Sequence, residues 1–259
     1  MTGKAAILIT GAAHGIGRAT ATALAARGDR VGLLDRDADA LDQLAAGLDA
    51  QVAKAAVDLA DPEPDAVRRA VALVEGQIGP IGTLVACAGV GGLTRVPDLD
   101  IDGFRAMLAV NVIGVARSIE AVLPGMIARG GGHIVGVSSV AGHRGLPWMA
   151  EYSASKAALT AYLEALRPAL KRRGVTITTA CPGFVRTALT VDTPFRKPVK
   201  MLSPEQAAIQ LVKAIDRRPR NHVFPFGTSV GMAVLRHLPD RVFDWMMDRA
   251  GPRALTTEF

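Results

Sequence analysis

Short apolar runs of β type alternate strictly with longer Ala- and Leu-rich segments of helical period along most of this chain. Residues 5–9, 31–34, 83–86, 133–137 and 175–180 read as strands; residues 18–27, 66–77, 104–128 and 153–171 read as helices. A further strand is expected to end at Val57, and a helix to start near Ser203-Pro204-Glu205 with Ser as its cap. Strands in single file with helices between them need crossover connections, which give a parallel sheet covered on both faces. The predicted fold class is therefore α/β, a doubly wound parallel β-sheet. No repeat or low-complexity linker interrupts the pattern, so the 259 residues are read as a single domain.

Composition closes off other classes. A chain that is 49% hydrophobic with two cysteines is neither disordered nor a disulfide scaffold. The longest uncharged stretch, residues 76–94, holds six Gly and one Pro, so no transmembrane helix is expected there. The N-terminal apolar run turns at Gly11 before a signal-peptide core could develop, and a cytoplasmic location is expected, which two unpaired cysteines also fit. The net charge of +6 is scattered. Its densest cluster, Arg167, Lys171, Arg172 and Arg173, closes a predicted helix, where cations meet the negative dipole end. Aromatic stacking platforms are missing, so no nucleic-acid partner is expected, and no metal site is read.

Directly after the first strand stands Thr10-Gly11-Ala12-Ala13-His14-Gly15-Ile16-Gly17, running into the helix predicted from Arg18. Glycine lets backbone turn sharply and approach a pyrophosphate, whose charge is then met by amides at a helix N-terminus. Many strand-to-helix turns need Gly for a positive φ alone. This turn occupies the first β-to-α crossing of a doubly wound pattern, where dinucleotides bind. The second strand ends at Leu34-Asp35-Arg36. A carboxylate at Asp35 accepts the ribose hydroxyls of adenosine and repels the 2′-phosphate of NADP, which favours NAD. Arg36 pulls the other way, because a guanidinium clamps a 2′-phosphate. Asp58 either contacts the adenine edge or caps a turn ahead of Asp61-Pro62.

Three polar residues converge in the second half: Ser139 at a strand end, then Tyr152 and Lys156 at i, i+4 on one helix face. A free phenol has a pKa near ~10, and an adjacent ammonium stabilises the phenolate and lowers it. Tyr152 can then exchange a proton with an alcohol or carbonyl oxygen that the Ser139 hydroxyl also holds. The pair alone would pass for a solvated helix face. With 2 Tyr in the chain, one standing at this spacing behind a dinucleotide turn is a pointed arrangement.

Together, Thr10-Gly11-x-x-x-Gly15-Ile16-Gly17, Ala88-Gly89, Asn111, Ser139, Tyr152-x-x-x-Lys156 and Pro182-Gly183-x-Val185-x-Thr187 resemble the short-chain dehydrogenase/reductase (SDR) family over residues 4–190. The resemblance implies a single-domain Rossmann-type fold and an NAD(P)-dependent oxidoreductase acting on an alcohol or ketone, assembled as a homodimer or homotetramer. It implies Tyr152 as acid/base, Ser139 orienting substrate, Lys156 holding the nicotinamide ribose, and Asn111 supporting Lys156 through a water. Gly11, His14, Gly15, Ile16, Gly17, Asp35, Arg36, Asp58, Leu59, Ala88, Gly89, Pro182, Gly183, Val185 and Thr187, with Tyr152 and Lys156, would contact the cofactor. His14 stands where NADP-using relatives carry a basic residue, so NADP stays open beside NAD. Where the family has Asn-Asn-Ala-Gly, this chain has Ala86-Cys87-Ala88-Gly89, so the asparagine contacts must be replaced or absent. Cys87 and Cys181 read as small core residues, not nucleophiles. A dinucleotide-sensing binding protein that lost turnover is the alternative.

Substrate identity is expected to reside in residues 90–96 and 142–149 and in the loop 188–202, whose Pro-rich run 192–198 has the look of a lid. Trp148 and Met149 serve either as an apolar pocket wall or as packing, and Arg144 meets either an acidic substrate group or water. Residues 221–259 read as an apolar C-terminal extension with amphipathic helices near 229–238 and 241–249. They would cover the pocket, form a subunit interface or rest on a membrane surface; balanced charges disfavour the membrane. By resemblance, long apolar tails accompany lipophilic alcohols and ketones.

Overall fold

The structure, a computed structural model, describes residues 5–190 and 201–250, without the side chains of residues 226, 228–230, 232, 233 and 250. Seven strands, β1 (Ala6–Thr10), β2 (Val31–Asp35), β3 (Val52–Ala56), β4 (Ile81–Ala86), β5 (Gly132–Val137), β6 (Val175–Pro182) and β7 (Asn221–Phe224), form one sheet in the order 3-2-1-4-5-6-7. Every pairing is parallel. The expected doubly wound class is what is observed. The central strands are buried on both faces, which is why they read as continuous apolar runs and not as alternating ones.

Two helical layers cover the sheet. On one face, α3 (Ala66–Ile78), α5 (Val115–Ala128) and α6 (Ala150–Lys171) bury Val71, Val74, Ile119, Val122, Leu159 and Leu163. On the other, α1 (Gly15–Ala26), α2 (Ala38–Ala46) and α7 (Pro204–Arg217) bury Leu24, Leu41, Leu211 and Ile215. The cap of α7 is as expected: Ser203 accepts from the Gln206 amide, and the Gln206 side chain accepts from the Ser203 amide. The order reverses between β1 and β4, so connections leave in opposite directions and open a crevice at the carboxyl edge.

Three local readings change. Helix α2 went unread because it buries only Leu41 and Leu44, too few positions for a clear period. The predicted helix 104–128 is α4 (Ile101–Leu108), a π-turn (Ala109–Gly114) and then α5. Residues 101–128 are long and apolar enough to cross a membrane, yet their side chains Val115, Ile119, Val122 and Met126 belong to the core. The supposed extension from 221 starts inside the sheet, since Asn221–Phe224 pairs with β6 and buries Phe224; the extension begins after it, with α8 (Phe226–His237) and α9 (Asp240–Ala250). A four-residue strand opening on Asn-His offers no period to read.

His133 in β5 is fully buried. The Thr178 hydroxyl donates to the Pro219 carbonyl at 2.6 Å, so it accepts from His133 Nε2 at 2.9 Å. That fixes the proton on Nε2 and leaves Nδ1 a buried lone pair with no hydrogen-bond partner. Burial, and then the charge of Arg218, pull the imidazole down to about 4. An unfolded chain takes this proton near 6.5, while the folded one resists to about 4. The contribution is thus complete above pH 6.5 and drains away as pH falls toward 4, by about 3 kcal/mol at full titration. Urea unfolding between pH 7 and 4 should show a shallower loss of stability in His133→Gln than in the wild type; parallel slopes would refute the assignment.

Candidate active site

The crevice is a cleft of about 750 Å³ at the carboxyl edge of the sheet. Its floor is the turn between β1 and α1. Gly11 has φ +66° and Gly15 φ +50°. A Cβ on Gly11 would lie 2.6 Å from the Ala88 Cα, and one on Gly17 would lie 1.9 Å from the Gly11 carbonyl oxygen. The backbone after β1 therefore presses against that after β4, and the Thr10 hydroxyl accepts from the amides of Cys87 and Ala88, both at 3.2 Å. Those bonds hold the turn in which family asparagines are missing.

Asp35 closes one end. Its Oδ2 accepts from the Ala13 amide at 3.0 Å and its Oδ1 from the Asp37 amide at 3.2 Å, so it pins the glycine turn while lining the cleft. His14 shares a 2.8 Å hydrogen bond with Asp37, which also caps α2 through the Ala40 amide. That cap, followed by the His14 bond, holds the Asp37 carboxyl below its ordinary range. Arg36, Asp58 and Leu59 line the same end. Asp58 also accepts from the Ala60 amide at 2.9 Å, so it makes a turn while facing the cleft.

At the other end Ser139, 8% exposed, follows β5 and caps a 3-10 turn (Val140–Gly142), its Oγ accepting from the Ala141 amide at 3.2 Å. Ser138 donates to the Lys156 carbonyl at 3.0 Å and seats α6 against β5. Tyr152 and Lys156 then face the cleft one turn apart, with Lys156 Nζ 5.8 Å from the Tyr152 ring centroid and donating to the Val137 carbonyl at 3.0 Å. Burial brings Lys156 down to about 8. It pushes Tyr152 up, against an opposing hydrogen bond with Ser139. The expected lowering of the phenol by the neighbouring ammonium is thus corrected: Lys156 is not among the groups that shift it, and burial raises it.

Asn111 sits in the π-turn, fully buried behind the cleft wall. Its Oδ1 accepts from the Val90 amide at 2.8 Å, and its Nδ2 donates to the Val90 carbonyl and to Ser155 Oγ, both at 2.9 Å. A Cβ on Gly89 would lie 3.2 Å from Asn111 Oδ1 and 3.3 Å from Lys156 Nζ, so the two groups border the same space.

Of the residues expected at the cofactor, all line the cleft except Val185, which is buried and bridges to Leu202. The proline-rich run 192–198 lies outside the described residues. Sequence reading missed Leu34, Val57, Val110 and Phe184, ordinary apolar residues whose one signal is adjacency to the motifs. Leu146 and Met149 line the cleft, whereas Trp148 does not. The Arg144 guanidinium reaches the C-terminal helices, donating to the carbonyls of Leu235 and Leu238. The thiols of Cys87 and Cys181 are pushed up to about 12 by burial, which suits packing and not nucleophilic attack.

Residues 5–196 match the family described as short chain dehydrogenase. The chain belongs to that family. It is 38% identical to an uncharacterized oxidoreductase of Myxococcus xanthus over 92% of this chain and 94% of that one. It is 30% identical to the ketoacyl reductase HetN of Nostoc over 95% and 90%. A short-chain dehydrogenase from Streptomyces avermitilis superposes with a TM-score of 0.78 at 27% identity, covering 90% of this chain and 92% of that chain. An alcohol dehydrogenase of Thermococcus sibiricus, solved with 5-hydroxy-NADP, superposes at 0.73 with 25% identity, covering 85% and 96%. This short-chain dehydrogenase is accordingly an NAD(P)-dependent oxidoreductase with a Rossmann fold.

Within it, Thr10 ties the turn after β4 to the end of β1 by accepting from two of its amides. Thr10→Val keeps the shape and orphans two amides. It should cost about 1–3 kcal/mol in urea unfolding and weaken nicotinamide cofactor binding in titration; unchanged stability would assign the turn to other contacts.

Proposed function

We propose that this short-chain dehydrogenase interconverts a lipophilic alcohol and its ketone with NAD, and that Ser139, Tyr152 and Lys156 hold the reacting oxygen while Asn111 supports them. The observation that carries this is the convergence of Ser139, Tyr152 and a buried Lys156 on the same cleft that the glycine turn lines.

The residues fit a dinucleotide. The side-chain-free path along Gly11, Gly15 and Gly89 leaves backbone bare to an approaching pyrophosphate and ribose, and α1 presents its N-terminal amides there. Asp35 would accept ribose hydroxyls through the lone pairs its backbone bonds leave over, and its charge opposes a 2′-phosphate. His14 is engaged with Asp37, which weakens the argument for NADP that its position suggested. Arg36 remains the residue favouring NADP.

When bound, the nicotinamide ring supplies or accepts the hydride. Tyr152 Oη gives a proton to the substrate oxygen in reduction and takes it back in oxidation. Ser139 Oγ donates a hydrogen bond to that oxygen and so fixes its place. Lys156 supplies positive charge beside the developing phenolate, which the buried phenol needs. Asn111, tied to Val90 and to Ser155 on the helix of Tyr152, keeps the two walls in register. The substrate end, lined by Val90, Leu93, Leu146, Met149, Phe184 and Leu189, supports a lipophilic substrate, as does the name of the Nostoc relative, a ketoacyl reductase. Exposed Ile101 and Ile113 near and within the π-turn support a homo-oligomer, and the free thiols support a cytoplasmic location.

Across a panel of medium-chain alcohols and ketones, Tyr152→Phe should lower turnover by about a hundredfold or more while cofactor binding persists; wild-type-like turnover would sink the assignment. In the same panel Asp35→Ser should shift the kcat/KM ratio toward NADP, and an unmoved ratio would separate Asp35 from cofactor choice.

A further inference from the structure

Arg144 lies five positions after Ser139 and two before Leu146, in the segment that walls the substrate end of the cleft. Its side chain points the other way and is 15% exposed. Nη1 donates to the carbonyls of Leu235 at 2.9 Å and Leu238 at 2.7 Å, and Nη2 donates to Asp240 at 2.8 Å. The guanidinium carbon stands 4.0 Å from the centroid of the buried Phe243 ring. Leu235 and Leu238 end α8; Asp240 and Phe243 begin α9. One planar fork therefore spans the junction of the two helices.

The chemistry suits arginine. The last carbonyls of a helix have no partner within it, and a cation there meets the negative dipole end. Arginine alone offers several donors in one plane together with a face that stacks on a ring. Burial, and then the charge of Arg236, pull the imidazole of its neighbour His143 down. The other ties of the wall run inward, away from the C-terminal helices: Leu146 donates to Ser153 Oγ at 3.2 Å and the Trp148 carbonyl accepts from the Thr94 amide at 2.8 Å. Asp240 is almost wholly exposed, so its ion pair contributes least, and the carbonyls and Phe243 contribute most.

We infer that Arg144 is a positioning residue that fastens α8 and α9 to the back of the substrate wall, so that the C-terminal helix pair holds this wall in place. It sets substrate affinity and leaves cofactor affinity alone, because the glycine turn and Asp35 stand at the opposite end of the cleft. The inference deepens the function proposed above and rests on it.

The test uses the full chain with 2-decanol and 2-decanone as probes, NADH binding by fluorescence, and hydrogen exchange. Arg144→Ala should raise the substrate KM about tenfold or more with kcat much less affected and NADH affinity unchanged. Arg144→Lys should recover part of that loss, and Asp240→Asn should stay near wild type. Exchange should quicken in residues 142–149 and 226–250 and nowhere else. An unchanged KM, a parallel loss of NADH affinity, or exchange rising across the whole sheet would overturn the proposal. Should Arg144→Ala not fold, Arg144→Met, which keeps the stem over Phe243, reads the same quantities. If the wild type turns over neither probe, the proposed substrate class fails, while exchange and NADH binding still decide the clamp: unchanged exchange in residues 142–149 overturns it.

Discussion

Where β1 and β4 part at the middle of the sheet, two backbones lie against each other with no room for a side chain. Gly11 meets Ala88, Gly17 meets Gly11, and the Thr10 hydroxyl takes two amides of the opposite turn. That approach makes the cleft. A Cβ at either glycine would push α1 away from the sheet edge, and the amides at its N-terminus would no longer face the space that Asp35 and Gly89 border. Asp35 adds to the same constraint, because its carboxylate binds the Ala13 amide within the turn. A carboxylate that lines the cleft is thereby also a structural one.

The opposite wall is governed by burial. Desolvation raises the Tyr152 phenol and lowers the Lys156 ammonium to about 8, so burial favours the neutral form of each. Ser139 works against the burial penalty by its hydrogen bond, and it is held by its own role as cap of a short turn. The π-turn at Asn111 serves this wall from behind. Its widened backbone carries Asn111, whose amide joins the Val90 segment to the helix of Tyr152.

Legibility followed how local each cause is. The parallel sheet, the glycine turn, the acid at the end of β2 and the Ser139, Tyr152 and Lys156 set are each visible in spacing, since a crossing, a turn and a helix face are short-range properties. Three features were not. Helix α2 buries too little to show a period. Strand β7 is strand only because β6 has a free edge to offer it. The partner of Arg144 lies over ninety residues away along the chain, so no pattern near it could announce a clamp.

What the chain alone determined is therefore the alternation of elements and the identity of groups at the carboxyl ends of strands, because backbone periodicity and turn chemistry are written in neighbouring residues. Tertiary structure decided how each group behaves: that burial raises the Tyr152 phenol, that Asn111 binds Val90 and Ser155, and that Arg144 turns outward. Solvation and long-range contact depend on which surfaces meet, and that is settled only when the layers pack.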